Sequence, residues 1–103
     1  MIVRIVTMHF REDAVVSFNS LFYAKKEAIR NQPGCQLLEL YQDKNDLQKF
    51  STYSYWDDED ALNNYRDSAL FKEVWPRTKE LFDKKPEATS FIKIHSLLWK
   101  QFF

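Results

Sequence analysis

The chain has 103 residues, which is enough for one domain spanning residues 1–103 and too few for a second. Its 15 basic and 15 acidic side chains cancel, and this balance argues against nucleic acid or a membrane surface as a partner. A single glycine, Gly34, and a single cysteine, Cys35, exclude a glycine-rich phosphate loop, an internal disulfide and a metal site built from cysteines alone.

The first third of the chain predicts a strand followed by a long helix. The segment "IVRIVTMHF" (residues 2–10) is rich in β-branched and aromatic residues and carries apolar groups on both faces, which is typical of a strand covered on both sides. Residues 11–34 carry an apolar stripe at helical spacing, with acids near the start and bases toward the end. Pro33 and Gly34 are expected to end this helix.

The middle of the chain predicts a hairpin and a short helix. The segments "CQLLELYQ" (35–42) and "LQKFSTYSYW" (47–56) are predicted strands joined by the polar turn "DKND". Asp57 or Asp58 is expected to cap a helix that ends near Tyr65 or Arg66. The acidic run that begins there is interpreted as a favourable helix start, in preference to a metal site.

The last third predicts a second helix and a last strand. Ser68 is expected to cap a helix that runs to about Lys84, with a kink or a restart at Pro76. Residues 88–99 read as a strand, and an aromatic tail follows it. The short apolar runs never approach the roughly 20 residues of a membrane helix, so we expect a soluble, cytoplasmic protein.

The order β-α-β-β-α-β predicts an α+β fold, a ferredoxin-like antiparallel sheet of four strands with its helices on one face. Both faces of the first strand are mixed: Val3, Ile5, Thr7 and His9 alternate with Arg4, Val6, Met8 and Phe10. Because the helices can cover only one face, the other is expected to pack against a second copy. The sequence therefore predicts a homodimer that is joined through sheet faces, with the aromatic tail 98–103 at the interface.

The segments "YSYWDDEDAL" and "NNYRDSALF" resemble the antibiotic biosynthesis monooxygenase (ABM) family, a group with the dimeric α+β barrel fold. Trp56, Ala61, Ser68 and Phe71 follow the family pattern in order and spacing. The resemblance covers about residues 2 to 97. The family includes cofactor-independent oxygenases that convert phenolic compounds to quinones, as well as haem-degrading enzymes and isomerases.

Departures from the family pattern narrow the function that the resemblance implies. In haem-degrading members an Asn, a Trp and a haem-ligating His stand approximately where this chain has Thr7, Tyr65 and Trp75. The missing imidazole at position 75 argues against haem degradation. Quinone-forming members pair an Asn with the Trp at the end of the third strand, and here Thr52 takes the place of that Asn beside Trp56.

The candidate site combines aromatic residues with residues that the resemblance suggests. Tyr65 and His9 are the candidates for proton transfer, and the expected pocket residues are Trp56, Trp75, Thr7, Thr52, Phe18 and Phe22. The alternative for each aromatic residue is simple packing between helix and sheet. No metal site is predicted, because the only two histidines, His9 and His95, should lie toward opposite ends of the sheet.

Two functions remain open at this point. The first is an ABM-type monooxygenase that acts on a small aromatic or quinol-like compound with O2 and no cofactor. The second is a non-catalytic dimeric module that binds a hydrophobic small molecule. The scarcity of titratable groups on the expected pocket walls favours the second.

Overall fold

A computed structural model describes residues 1–97, and these residues form one antiparallel sheet with its helices on one face. The strands lie in the order β2-β3-β1-β4. Their bounds are β1 Ile2–His9, β2 Cys35–Gln42, β3 Lys49–Trp56 and β4 Glu87–Ile92. The predicted ferredoxin-like α+β fold is confirmed. The last strand is shorter than predicted: it ends at Ile92, and the tail predicted at an interface, 98–103, lies outside the described residues.

Three α-helices connect the strands: α1 Val15–Arg30, α2 Glu59–Arg66 and α3 Ala69–Lys79. A single 3-10 turn, Glu12–Ala14, precedes α1. Helix α3 ends five residues before the predicted Lys84. Of the two outcomes predicted at Pro76, a kink or a restart, the restart does not occur, because one helix runs through this residue.

Side-chain caps set the starts of the two short helices, as the sequence predicts. Asp58 Oδ1 accepts a hydrogen bond from the Ala61 N–H at 2.8 Å, and Ser68 Oγ accepts one from the Phe71 N–H at 3.2 Å. Each cap satisfies a backbone donor that has no partner inside the helix. The acidic residues therefore belong to the start of α2, which confirms their interpretation as a helix start.

The helix-facing side of the sheet carries the core, in two clusters of buried residues. Met8, Phe10, Phe18 and Phe50 form the larger one, and Phe10 and Phe18 are stacked with their ring centroids 4.0 Å apart. Cys35, Trp56 and Leu62 form the smaller one. Burial raises the pKa of the Cys35 thiol, so the thiol stays protonated and behaves as a buried structural residue.

The turn into β2 depends on Gly34, whose φ of 83° lies in the left-handed region that favours glycine. A Cβ atom at this position would approach the Ala61 Cβ atom to 2.5 Å. The turn and helix α2 are therefore in close contact, and the bare backbone of glycine makes this contact possible. The contact holds α2 over the end of the sheet that contains Trp56.

Within residues 1–97, no helix lies against the other face of the sheet. Its residues include Tyr41 and Phe91, both 50% exposed, and Tyr53, whose ring packs edge-on against Tyr41 at 5.1 Å. We call this surface the open face; its members pair across the strands as Val3↔Tyr55, Ile5↔Tyr53, Leu37↔Tyr55 and Val3↔Phe91. The open face therefore carries a group of aromatic and aliphatic side chains that are at least partly exposed.

Candidate functional site

A cavity of about 200 Å³ lies between the helices and the covered face of the sheet. It is smaller than the typical range of ligand pockets, roughly 300–1,000 Å³, so it suits a small ligand. Residues from both core clusters and from all three helices line it: Arg4, Val6, Met8, Phe18, Phe22, Ile29, Leu38, Thr52, Ser54, Trp56, Leu62, Tyr65, Arg66, Phe71, Val74, Trp75, Thr78, Pro86 and Ala88.

The floor of the cavity is Trp56, which is fully buried. Its indole Nε1 donates to Ser54 Oγ at 2.9 Å, so its only polar group is already satisfied. The Tyr65 ring stacks on it, with centroids 5.0 Å apart and the planes 19° from parallel. Trp56 therefore positions Tyr65, and a ligand would reach Tyr65 before it reached the indole.

The wall of the cavity is a row of half-buried aromatic rings. Phe71 packs edge-on against Tyr65 at 5.2 Å and stacks against Trp75 at 5.9 Å. Residues 71 and 75 lie one turn apart on α3, so they present their rings to the same side. Offset and edge-on ring pairs of this kind leave room for a further flat apolar group.

Tyr65 supplies the hydroxyl that is best placed to meet a ligand. Burial, with a smaller effect of the nearby Cys35, raises the pKa of Tyr65 to about 12. Tyr65 is therefore a neutral phenol at physiological pH, a hydrogen-bond donor and a poor base. None of the described residues lies within hydrogen-bond distance of this hydroxyl.

The neutral polar groups around the cavity divide into occupied and free ones. Ser54 Oγ accepts the indole hydrogen bond, and Thr78 Oγ1 donates to the Val74 carbonyl at 2.9 Å. Thr52, like Tyr65, makes no side-chain hydrogen bond to any described residue. A ligand could therefore bond to Thr52 and Tyr65 without displacing an internal partner.

Two arginines complete the lining. Arg4 points from β1 to the covered face, where its Nη1 donates to Ser90 Oγ at 2.9 Å. Burial lowers the pKa of Arg4, and the positive charge of Arg66, at the end of α2, lowers it further. Within residues 1–97 no carboxylate forms an ion pair with either arginine.

The structure brings together six of the eight residues predicted for the site: Tyr65, Trp56, Trp75, Thr52, Phe18 and Phe22. Thr7 and His9 lie elsewhere. They alternate along β1 with Met8, which lines the cavity, and successive residues of a strand point to opposite faces. Both therefore lie on the open face, where Thr7 Oγ1 is 3.4 Å from Ser51 Oγ. Neither reaches the cavity of its own chain.

Phe18 and Phe22 play different parts although they lie one turn apart on α1. Phe18 is almost completely buried, and it packs against Phe10 and Phe50 at 4.0 and 5.2 Å. Phe22 is half-buried and lies at the outer side of the same cluster, 6.1 Å from Phe18. Phe18 is a core residue that touches the cavity, whereas Phe22 is a wall residue.

Residues 1–97 contain no group of three or more His, Cys, Asp or Glu side chains that could hold a metal ion. The same part of the chain has no helix that is long and apolar enough to span a membrane.

Comparison with known families agrees with the fold. The family model described as antibiotic biosynthesis monooxygenase matches residues 1–76. The chain belongs to the antibiotic biosynthesis monooxygenase family. The match covers β1 through most of α3 and therefore includes the elements that build the floor and wall of the cavity.

Several solved structures have the same fold. A conserved protein from Methanosarcina mazei Go1 is 25% identical, with a TM-score of 0.85 over 91% of this chain and 94% of its own. An antibiotic biosynthesis monooxygenase is 19% identical, with a TM-score of 0.86 over 92% and 100%. A variant of SnoaB, a cofactor-independent oxygenase from Streptomyces nogalater, is 17% identical, with a TM-score of 0.84 over 95% and 97%. No curated protein matches the chain significantly.

Sequence reasoning missed three lining residues that matter: Phe71 as part of the wall, and the arginines Arg4 and Arg66. Phe71 was named in the sequence analysis only for its place in the family pattern. Arg4 shares the strand face of Val6, Met8 and Phe10, and this alternation was a usable signal. A cation in an otherwise apolar strand face is unusual and indicates a specific partner.

Proposed function

We propose that this ABM-family protein is a cofactor-independent monooxygenase that acts on a small aromatic or quinol-like compound in the cavity beside Tyr65. The observation that carries the proposal is the row of half-buried rings, Tyr65, Phe71 and Trp75, around a cavity of about 200 Å³. A flat aromatic substrate fits such a wall by stacking. The likeness to SnoaB, a cofactor-independent oxygenase, supports the reaction class.

The proposed reaction needs only substrate and O2. A phenol loses its proton, donates electrons to O2, and one oxygen atom enters the ring while the other leaves as water, so that a quinone forms. The protein would exclude water and hold the ring in place. Tyr65, as a neutral phenol, would donate a hydrogen bond to the substrate oxygen on which negative charge develops.

Oxygen uptake is the test. Purified protein is incubated with hydroquinones and with anthrone-like phenols, and the expected result is consumption of one O2 per substrate oxidised. Trp75→Ala should lower the rate because it removes part of the wall. Tyr23→Phe, on an exposed tyrosine of α1, should match the wild type. No uptake above the uncatalysed rate with any of these compounds would contradict the proposal.

The second candidate is a non-catalytic module that binds a hydrophobic small molecule. One specific observation favours it: no His, Asp or Glu is among the residues that line the cavity, and Tyr65 is a poor base. A bound ligand whose acidic protons lie more than about 3 Å from every acid or base group would support binding without chemistry. Turnover in the oxygen assay would exclude this candidate.

We also propose that the protein is a homodimer joined through the open face. The support is the aromatic surface that includes Tyr41, Tyr53 and Phe91, which a second copy would remove from water. Light scattering at micromolar concentration should give twice the chain mass, and truncation after Leu97 should weaken the dimer. A full-length monomer at that concentration would contradict the proposal.

A further inference from the structure

We propose that the cavity binds an organic anion, a small apolar ring system that carries a carboxylate, and that Arg4 and Arg66 hold this carboxylate. The inference rests on the proposed function only in placing the ligand in this cavity. It concerns how the ligand is recognised and does not require that the protein oxidise it.

The charge of the cavity lining carries the inference. Of the described residues that line it, two are cationic, Arg4 and Arg66, and none is an Asp or a Glu. The chain as a whole is neutral, with 15 bases and 15 acids. The positive lining is therefore a local feature of this cavity and not a reflection of overall composition.

Arg4 is the more informative of the two. It is half-buried on the covered face of the sheet, beside Val6 on its own strand and opposite Ser54 and Ser90 on the neighbouring strands. A cation in such a place loses hydration, and it is normally compensated by a carboxylate or by several hydrogen bonds. The Arg4 guanidinium has five N–H donors, but it makes only one hydrogen bond to the described residues, to Ser90 Oγ at 2.9 Å. Most of its donors remain available to a ligand.

The position of Arg66 has a simpler explanation, but that explanation does not account for the presence of both arginines in the cavity lining. A base in the last turn of α2 interacts favourably with the negative end of the helix dipole. That accounts for a cation at position 66, but not for a second cation close to it: Arg66 is near enough to lower the pKa of Arg4. Two like charges brought together without an acid between them form a site for an anion.

The geometry of the cavity also sets the form of the ligand. Arg4 lies at one end of the lined part of β1 and Met8 at the other, about 13 Å apart at roughly 3.3 Å per residue. Arg4 supplies the cationic end of the lining, while Phe22 and Trp75 supply apolar surface. A carboxylate suits the planar fork of a guanidinium, and a bicyclic aromatic ring fits the remaining length.

The test compares two ligands of the same shape that differ in charge. The affinities of 2-naphthoate and of its neutral amide, 2-naphthamide, are measured by calorimetry near neutral pH and at low salt. The expected result is that the naphthoate binds about tenfold more tightly or better. Arg66→Gln, on an exposed position, should reduce this preference several-fold, and Arg4→Gln should do the same.

Arg77→Gln is the matched control, because Arg77 lies outside the cavity lining and pairs with Glu73 at 3.4 Å. It should leave the preference unchanged. Equal affinity for the two ligands, binding of neither, or a preference that survives both cavity substitutions would overturn the inference.

Oxygen uptake is independent of this result: a protein that prefers the anion but consumes no O2 upholds the inference and contradicts the monooxygenase proposal. A protein that oxidises neutral quinols but shows no preference for the anion supports the monooxygenase proposal and contradicts the inference.

Discussion

The Tyr65 hydroxyl allows a specific test of the site, because Tyr65→Phe removes the hydroxyl and keeps the packing of the ring. Tyr65→Phe keeps the ring that stacks on Trp56 at 5.0 Å and packs against Phe71 at 5.2 Å. The hydroxyl it removes bonds to no described residue. We therefore expect the free energy of unfolding near neutral pH to change by less than about 0.5 kcal/mol.

The same substitution should change how stability depends on pH. The pKa of Tyr65 is raised from 10.0 to about 12 in the folded protein, so the folded state holds this proton more tightly than the unfolded state. As pH rises through the unfolded pKa, the unfolded chain ionises first, and the free energy of unfolding falls. The fall amounts to about 1.4 kcal/mol per pH unit in this window and ends near the folded pKa.

Urea unfolding at about pH 9 and about pH 11 measures this effect. The wild type should lose about 1.3 kcal/mol more than Tyr65→Phe between the two conditions. Tyr23→Phe, whose hydroxyl is exposed, should behave like the wild type. Tyr41, whose pKa is also raised, chiefly by its hydrogen bond to Glu39, is present in all three proteins and cancels. Equal losses in the wild type and in Tyr65→Phe would refute the reasoning.

Three further predictions concern the architecture around the site. Gly34→Ala should lower the free energy of unfolding by about 2 kcal/mol or more, through left-handed backbone strain and the contact with Ala61 at 2.5 Å. In urea unfolding, the double variant Gly34→Ala with Ala61→Gly should recover only the part of this loss that is due to the contact. A loss below about 0.5 kcal/mol for Gly34→Ala alone would contradict the prediction. Ser68→Ala should cost about 1 kcal/mol by removing the cap of α3; an unchanged urea midpoint would speak against that role. Tyr53→Lys places a charge on the open face, so light scattering should show a monomer in place of the proposed dimer, while the ligand affinity stays the same. A persistent dimer would show that this face is not the interface.

The fold was accessible from the sequence because several local signals agree. Hydrophobic spacing set the element types, and short polar residues set the starts of α2 and α3: Asp58 and Ser68 are side-chain caps in the structure. The C-terminal end of α3 was harder to predict than its start. The predicted end of α3 near Lys84 was wrong because apolar spacing continues through Leu81 and Phe82, which pack on the core beyond the helix.

The candidate site was predictable only in part, because strand periodicity does not reveal which face is covered. The first strand is mixed on both faces, so its alternation alone could not assign Thr7 and His9 to the open face. That assignment depends on Met8 and Phe10 being buried under helix α1, which is a tertiary fact. Resemblance to the ABM family suggested Thr7, and the pleat of the strand places it on the other side of the sheet from the cavity.

The aromatic residues between positions 55 and 75 differ in burial, and burial distinguishes the packing residues from the proposed pocket residues. Trp56 is 0% exposed and its indole hydrogen is bonded to Ser54, so it has no donor left for a ligand and contributes to the cavity only as its floor. Tyr65 and Trp75 are half-buried, and Tyr65 keeps a free hydroxyl. Because Trp56 supports Tyr65 by stacking, the core beneath the cavity fixes the position of the donor within it. The rings that hold helix to sheet would thus also fix the proposed binding surface before any ligand arrives.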